Sequence, residues 1–230
     1  MTEPKNKQAL ALFGGTFDPI HTGHLRACLE AGEALHASQV SLLPCATPAH
    51  REPPTASAEQ RLSMLNLALA GQNYLVSDRR ELDRPGPSYT IDTLLEIRAE
   101  VGPDRPLILM IGADQLAQLD RWKSWQRLMD VAHLAILTRP NCAAMPMHID
   151  AFLKPHRAKR SELALHPAGF VTPVSVTALA ISASDIRRRL SHSQSVRYLL
   201  PDAVIDYLHI QGLYSHDKTA MFSAAQKLLR

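Results

Sequence analysis

The fold is decided by the stretch Gly14-Gly15-Thr16-Phe17-Asp18-Pro19-Ile20-His21-Thr22-Gly23-His24. The apolar run before it, Ala9 to Phe13, is short and ends at glycines, which predicts a buried strand. Residues 25–31, which follow it, are rich in good helix formers. Strand, glycine turn and helix in this order predict an anion site, because free backbone N–H groups at a helix start point at the ligand.

Two glycines and two histidines give this turn its predicted chemistry. Gly14 and Gly15 let the backbone approach a phosphate with no Cβ in the way. His21 and His24 are three residues apart, so both imidazoles reach one site if the helix begins near Thr22. The alternative is a tight turn with two surface histidines, but paired histidines inside a glycine turn favour phosphate binding.

The composition indicates an ordinary globular chain with no disulfide or zinc framework. Its 230 residues suit one α/β domain, and 46% of them are hydrophobic and 20% charged. A formal charge of +3 suits an anionic small molecule as well as nucleic acid and decides neither. Cys28, Cys45 and Cys142 are an odd, widely spaced set without a Cys-x-x-Cys pair.

Nothing in the sequence predicts a membrane or a nucleic-acid partner. Residues 1–8 are polar and lack an apolar signal core, and no apolar run approaches membrane-spanning length. We therefore expect a cytoplasmic protein. The basic run from Lys154 to Arg160 is typical of a solvated face rather than a nucleic-acid site. The sequence leaves open whether the chain forms a homo-oligomer.

Apolar runs alternate with helical patterns along the chain and predict an α/β fold. We expect a Rossmann-like open parallel sheet with helices on both faces, in a single domain over residues 1–214. Residues 215–230 are expected to form a tail, either a short helix or disordered. Five further strands are predicted: Gln39–Pro44, Tyr74–Val76, Pro106–Ile111, His133–Thr138 and Val171–Val176. Pro173 marks the last of these as an edge or irregular strand.

Two segments that follow strands hold candidate ligand-binding residues. His50 and Arg51 come after the second strand, on the usual ligand side of an open α/β sheet, although solvated loop residues are an equal alternative. Ser88 and Thr90 precede a predicted helix over residues 91–98, where a capping role is favoured over the binding of a ligand carboxylate or phosphate.

The strongest predicted strand leads into a further candidate site. Gly112 and Asp114 follow it, which suits an acidic side chain that binds a ribose hydroxyl or a metal, unless Asp114 caps the next helix. Trp122 is flanked by charged residues and is expected to be partly exposed, either to stack on a flat ring or to anchor the surface. Trp125 lies at helical spacing from Leu128 and is expected in the core.

A second chemical motif lies near the end of the chain, over residues 181–190. Ser182 and Ser184 can donate to phosphate oxygens, and Arg187, one turn into the predicted helix, supplies a charged planar fork. A serine cap with arginines in solvent is an equal alternative.

Together these segments resemble the bacterial nicotinate mononucleotide adenylyltransferases, which belong to the nucleotidyltransferases with a His-x-Gly-His signature. The opening motif alone indicates only that superfamily. The specific resemblance rests on segments in the expected order: Pro44 to Arg51, Glu81 to Arg84, Ser88 to Leu94, Ile111 to Asp114, Trp122 and Trp125, Arg139-Pro140, Ile181-Ser182, Ile186-Arg187, Leu200-Pro201, and Gly212 to Tyr214. It covers residues 10–214 and departs from the family pattern at Ala49 and Ala183.

The resemblance implies transfer of the adenylyl group of ATP to nicotinate mononucleotide, giving nicotinate adenine dinucleotide and pyrophosphate. The attacking phosphate oxygen is already ionised at neutral pH, so the reaction needs no general base, and catalysis consists of positioning and charge stabilisation. Mg²⁺ is expected to bridge the ATP phosphates with few protein ligands. The residues implied on the ATP side are Gly14, Gly15, Thr16, His21, His24, Gly112, Asp114, Ile181, Ser182 and Arg187. Of these, His21, His24 and Arg187 are implied as catalytic.

The resemblance also implies a site for the mononucleotide. Its nicotinate ring is expected on Trp122, with Phe17 on the other face, and its carboxylate at the N–H groups near Tyr89 and Thr90. His50 and Arg51 complete this set, with Arg51 on a phosphate. Three alternatives remain: another phosphorylated acceptor, a nucleotide sensor without turnover, and a zinc site at His21 and His24, for which no third ligand lies nearby in sequence.

Overall fold

Strands and helices alternate along the residues that the computed structural model describes, 8–46, 53–138 and 145–215. The strands are β1 (Leu10–Gly15), β2 (Gln39–Pro44), β3 (Leu75–Ser77), β4 (Leu107–Gly112), β5 (His133–Thr138) and β6 (Val171–Ser175). The helices are α1 (Thr22–Ala34), α2 (Ala58–Leu69), α3 (Arg80–Asp83), α4 (Thr90–Val101), α5 (Ala113–Leu116), α6 (Leu128–Val131), α7 (Met147–Leu153), α8 (Arg160–Leu163), α9 (Ala183–Ser191) and α10 (Asp202–Gln211). Short 3-10 turns lie at Leu119–Arg121, Trp125–Arg127 and Lys154–His156.

All the strands join one 6-stranded parallel sheet in the order β3-β2-β1-β4-β5-β6. The order reverses between β1 and β4, which pair from Leu10 opposite Leu107 to Phe13 opposite Met110. In open α/β sheets the crevice beyond the carboxyl ends of strands at such a reversal is the usual ligand site. The glycine turn after β1 and Gly112 at the end of β4 both border this crevice.

The sheet carries a hydrophobic core on each face, because successive side chains of a strand point to opposite sides. Ala11 and Ile108 belong to one core, which also takes buried residues of α1, α2, α9 and α10. Leu12 and Leu109 belong to the other, which also takes buried residues of α4, α6 and α7. The predicted Rossmann-like sheet with helices on both faces is confirmed.

Several local predictions are confirmed by the structure. The predicted bounds of β2 and β5 agree with those observed. Pro173 lies in β6, which is an edge strand of the sheet. Across the described residues, no helix has both the length and the apolar character needed to cross a membrane.

The capping prediction for α4 is wrong, the alternative that Asp114 caps a helix is excluded, and Trp125 is less buried than expected. Tyr89 occupies the N-cap of α4 without a side-chain hydrogen bond, so neither Ser88 nor Thr90 caps that helix. Gly112, not Asp114, occupies the N-cap of α5. Trp125 lies in a 3-10 turn, where it is half-buried but packs against the core, with its ring 4.6 Å from that of Phe152. The proposed boundary at residue 214 stays a prediction, since residues 216–230 lie outside the described part of the chain.

Candidate active site

The start of α1 brings the two histidines of the glycine turn face to face. The rings of His21 and His24 stack with their centroids 3.6 Å apart and 19° between their planes. His21 is 3% exposed and occupies the N-cap, where its Nδ1 accepts from the backbone N–H of His24 at 3.3 Å. Gly23 makes room for this pair, because a Cβ there would lie 3.1 Å from the His21 ring. The sequence therefore folds into a turn that holds both imidazoles at one place.

The second motif reaches the same place from the other end of the chain. Ser182 is the N-cap of α9, and its Oγ accepts from the backbone N–H of Asp185 at 3.2 Å. Arg187 Nη1 donates to the backbone carbonyl of Asp18 at 2.6 Å, which joins α9 to the glycine turn. The cap predicted for Ser182 is therefore present. Arg188 and Arg189 pair with Asp185 instead of entering the site.

One large cavity of about 800 Å³ lies between the two motifs. Its volume is in the range of a nucleotide-sized ligand site. Every residue predicted for the ATP side lines it: Gly14, Gly15, Thr16, His21, His24, Gly112, Asp114, Ile181, Ser182 and Arg187. The structure thus brings together residues from both ends of the sequence at the crevice where the strand order reverses.

A second, smaller cavity of about 160 Å³ lies on the other side of the glycine turn. Tyr89, Thr90 and Trp122 line it, as the resemblance implied for one site. Gly14, Gly15 and Thr16 line both cavities, so the two meet at the backbone of the glycine turn. His50 and Arg51, predicted for this side, lie outside the described residues.

Phe17 does not line this second cavity. Its ring is 2% exposed and packs edge-to-face on His24, with centroids 5.4 Å apart. A φ of 51° at Phe17 turns the side chain under Gly15, where an added Cβ would lie 2.8 Å from the ring. This geometry therefore does not support the prediction that Phe17 contacts the nicotinate ring on the face opposite Trp122. Phe17 packs against His24 instead.

A buried arginine on α2 fixes the glycine turn from behind. Arg61 is 1% exposed and donates from Nη1 to the Thr16 carbonyl at 2.7 Å and from Nη2 to the Ala46 carbonyl at 3.1 Å. A buried charge that donates to carbonyls is costly to leave unpaired, so these bonds hold the ends of β1 and β2 together. The turn that separates the two cavities is therefore pre-organised.

A buried carboxyl, Glu81, organises the smaller cavity. It accepts a hydrogen bond from Thr93 Oγ1 at 2.8 Å, and the Ser88 hydroxyl also bonds to it. The Ser88 Oγ in turn accepts from the backbone N–H of Ala46 at 3.0 Å. Burial raises the pKa of Glu81 above its ordinary value, against the hydrogen bonds from Thr93 and Ser88. Glu81 thus ties the end of β2 to the start of α4.

We expect Glu81→Gln to stabilise the fold increasingly as pH rises. Because the folded pKa of Glu81 lies above its ordinary value near 4.5, ionisation favours the unfolded chain, and stability falls as pH rises through the folded pKa. Glutamine keeps the shape and does not titrate. Thermal melts from pH 4 to pH 8 should therefore show a difference, variant minus wild type, that grows with pH. A difference that is constant or that shrinks would contradict this, and Glu59→Gln, at an exposed position on α2, is the matched control.

Comparison with known proteins is decisive for the family. A family model described as cytidylyltransferase-like matches residues 12–189. A protein of Marinobacter nauticus named probable nicotinate-nucleotide adenylyltransferase is 45% identical over 206 residues, which cover 88% of this chain and 95% of that protein. One of the same name from Methylococcus capsulatus is 43% identical over 212 residues, 90% and 99% of the two chains. The chain belongs to the cytidylyltransferase-like family, with the nicotinate-nucleotide adenylyltransferases.

Solved structures share the fold described above. The nicotinic acid mononucleotide adenylyltransferase of Plasmodium falciparum, complexed with NaAD, aligns with a TM-score of 0.69 at 16% identity and covers 90% of this chain and 97% of its own. A putative nicotinate-nucleotide adenylyltransferase from Vibrio parahaemolyticus aligns with a TM-score of 0.58 at 15% identity, over 87% and 99% of the two chains.

Sequence analysis missed three buried residues whose hydrogen bonds hold the loops around the two cavities. Asp18, Arg61 and Glu81 are all buried charged side chains. Sequence analysis assigned none of them a role, because neighbouring residues in each segment accounted for the predicted element or motif. Arg61 offered the clearest signal, because it occurs among Leu62, Met64 and Leu65 on the buried face of α2. A charge at a core position of an amphipathic helix indicates a buried partner.

Proposed function

We propose that this protein transfers the adenylyl group of ATP to nicotinate mononucleotide, giving nicotinate adenine dinucleotide and pyrophosphate. The observation that carries the proposal is the meeting of two cavities at Gly14, Gly15 and Thr16. The larger has the histidines and the arginine that suit a triphosphate, and the smaller has an indole and a helix N-terminus that suit a flat acidic ring. Donor and acceptor phosphates would meet over a backbone with no Cβ in the way.

The chemistry requires charge stabilisation more than proton transfer. A phosphate oxygen of the mononucleotide attacks the α-phosphorus of ATP in line, a new P–O bond forms, and the bond to the oxygen that bridges to the β-phosphorus breaks. Pyrophosphate leaves with that electron pair. Because the nucleophile is already an anion, no general base is needed, and the stacked His21 and His24 together with Arg187 stabilise the charge that develops on the phosphates.

The residues fit a magnesium ion that enters with ATP. Within residues 8–46, 53–138 and 145–215, no group of at least three histidine, cysteine, aspartate or glutamate side chains could hold a metal. The nearby carboxylate of Asp18 is occupied by protein donors. Mg²⁺ commonly keeps substrate phosphates and waters as ligands, so the nucleotide would hold it, and the ion would neutralise phosphate charge. The protein residues bind and orient the phosphates around it.

The start of α4 supports a preference for the acid over the amide. No described side chain caps this helix, so the N–H groups of Thr90 and Ile91 remain available at the cavity lined by Tyr89, Thr90 and Trp122, whereas that of Asp92 donates to the Tyr89 carbonyl. The positive end of a helix dipole attracts a carboxylate, whereas a neutral carboxamide gains less electrostatic stabilisation there. Lys123, whose Nζ lies 4.6 Å from the centroid of the Tyr89 ring, is paired with Asp92 of the first turn at 2.9 Å, so the attraction for a carboxylate comes from the helix N-terminus rather than from an added charge.

The proposal is tested by pyrophosphate release from ATP with separate acceptors. We expect rapid release with nicotinate mononucleotide and a product with the mass of nicotinate adenine dinucleotide. Faster release with phosphopantetheine or glycerol phosphate would assign the chain to another acceptor class. Binding of ATP without release with any acceptor would indicate a nucleotide sensor.

Replacing Trp122 by alanine should raise the KM for nicotinate mononucleotide roughly tenfold or more, because stacking on an aromatic side chain contributes about 1–3 kcal/mol per ring. The KM for ATP and kcat should change little. Trp122→Phe keeps a ring and should recover most of the affinity. Trp125→Ala is the control, since that indole packs on Phe152 outside the cavity. An unchanged KM in Trp122→Ala would make this indole a surface anchor.

A further inference from the structure

The buried carboxylate of Asp18 joins the glycine turn to two other segments. Asp18 is 4% exposed, and its Oδ2 accepts from the backbone N–H of Thr55 at 2.8 Å. Its Oδ1 accepts from the backbone N–H of Ala56 at 3.1 Å and from the hydroxyl of Tyr214 at 2.5 Å. Both oxygens are therefore held, and the residue has little freedom to rotate.

The backbone of the same residue holds the arginine of the second motif. Arg187 Nη1 donates to the Asp18 carbonyl at 2.6 Å and lies 3.7 Å from Asp18 Oδ2. Arg187 lines the larger cavity, and about one third of its side chain is exposed there (34%). One end of the guanidinium is thus anchored on Asp18, and the orientation of the fork follows the orientation of Asp18.

Tyr214 reaches Asp18 from just beyond the end of α10. Gly212 ends that helix with φ 61°, and Tyr214 has φ 65°, a conformation that residues other than glycine rarely adopt. Burial raises the pKa of the Tyr214 phenol, and the neighbouring Asp18 raises it further, so the hydroxyl stays protonated and donates. A strained backbone persists only where surrounding contacts stabilise it, so the φ of Tyr214 and its hydrogen bond together indicate that the fold maintains this contact.

We propose that Tyr214 is a positioning residue for Arg187, acting through Asp18. The hydroxyl of Tyr214 fixes the Asp18 carboxylate, the fixed Asp18 presents its carbonyl to Nη1, and Arg187 is thereby aimed at the phosphates in the larger cavity. The inference rests on the proposed function for the reaction in which this arginine acts. It adds a residue that lines neither cavity and lies outside both motifs in sequence.

A double-mutant cycle on pyrophosphate binding tests this coupling. Calorimetry on the full chain should show that Tyr214→Phe raises the Kd for pyrophosphate about fivefold to tenfold, the size of a typical coupling between sites. Arg187→Ala should raise it further, and Tyr214→Phe should have no added effect in the Arg187→Ala background. Tyr207→Phe, on the half-buried tyrosine of α10, is the matched control and should bind as wild type does. An unchanged Kd in Tyr214→Phe, or effects that multiply in the double variant, would overturn the proposal.

Steady-state turnover gives a second readout, because a residue with a purely structural role would not change kcat while leaving the KM for the mononucleotide unchanged. With nicotinate mononucleotide, Tyr214→Phe should lower kcat and leave the KM for the mononucleotide unchanged. If Tyr214→Phe fails to fold, Asp18→Asn is the second variant. It keeps the shape, but its amide nitrogen cannot accept a hydrogen bond, so at least one of the donors on Asp18 loses its acceptor and the pyrophosphate Kd should rise in the same direction. Pyrophosphate binding needs no acceptor. If Tyr214 and Arg187 are coupled in pyrophosphate binding but no dinucleotide forms, only the proposed function is contradicted. Transfer without coupling would defeat the positioning role alone.

Discussion

His24→Ala should lower kcat for adenylyl transfer by about two to three orders of magnitude, the cost of removing one pre-organised donor from a developing charge. The His24 ring is held between the stacked His21, at 3.6 Å, and the edge of Phe17, at 5.4 Å, so its direction is fixed before substrate arrives. Removal of the imidazole leaves the ATP phosphates without that donor, whereas the backbone of the glycine turn still binds them. The KM for ATP should therefore change much less than kcat.

The His24 experiment needs evidence that the fold is retained. Circular dichroism and thermal melts should show a folded variant, because the helix that carries residue 24 keeps its buried contacts at Ala27, Cys28 and Ala31. His209→Ala, at an exposed position in the last turn of α10, is the matched control and should retain full activity. A decrease in kcat of less than about fivefold, in a folded His24→Ala protein, would remove His24 from the catalytic set.

Arg187→Ala should lower kcat by about 10³, because an arginine on a transferring phosphoryl group contributes on that scale. The guanidinium is anchored on Asp18 and lines the cavity beside both histidines. Arg187→Lys should recover only part of the rate, since an ammonium is a point charge without the planar fork. Steady-state rates of pyrophosphate release measure both effects.

A neighbouring arginine gives the sharpest control for Arg187. Arg188 lies one residue further along α9, is exposed, and pairs with Asp185. Arg188→Ala removes the same charge from the same helix without touching the cavity, and its kcat should be close to that of wild type. Equal losses in the two variants would mean that the overall positive potential, and not the aimed fork, supports catalysis.

The fold and the two motifs that line the larger cavity could be predicted from the sequence because they depend on local patterns. Short apolar runs between helical segments specify parallel strands, and two compact motifs place polar side chains at helix starts. His21 and His24 needed only helical spacing to be brought together. The meeting of residues 14–24 with residues 181–187 is less local, because β6 ends at Ser175, before the second motif begins, and is an edge strand that does not neighbour β1.

The rest of the site depends on contacts that no local pattern encodes. Phe17 faces the histidines and not Trp122, because a positive φ inside the turn reverses its side chain, and sequence does not predict that angle at a phenylalanine. Ser88 binds Ala46 and Glu81, so it is not available as the helix cap that its position suggested. The contact of Tyr214 with Asp18 joins positions 196 residues apart. Such pairs become visible only when the chain has folded.

Competition between the acid and amide mononucleotides in one vessel tests the central claim most directly. Equal concentrations of nicotinate and nicotinamide mononucleotide compete for the protein with limiting ATP and Mg²⁺, and mass spectrometry measures the two dinucleotide products. Their ratio equals the ratio of kcat/KM for the two acceptors. The account predicts that nicotinate adenine dinucleotide predominates. Equal amounts of the two products, an excess of the amide dinucleotide, or no dinucleotide at all would contradict it.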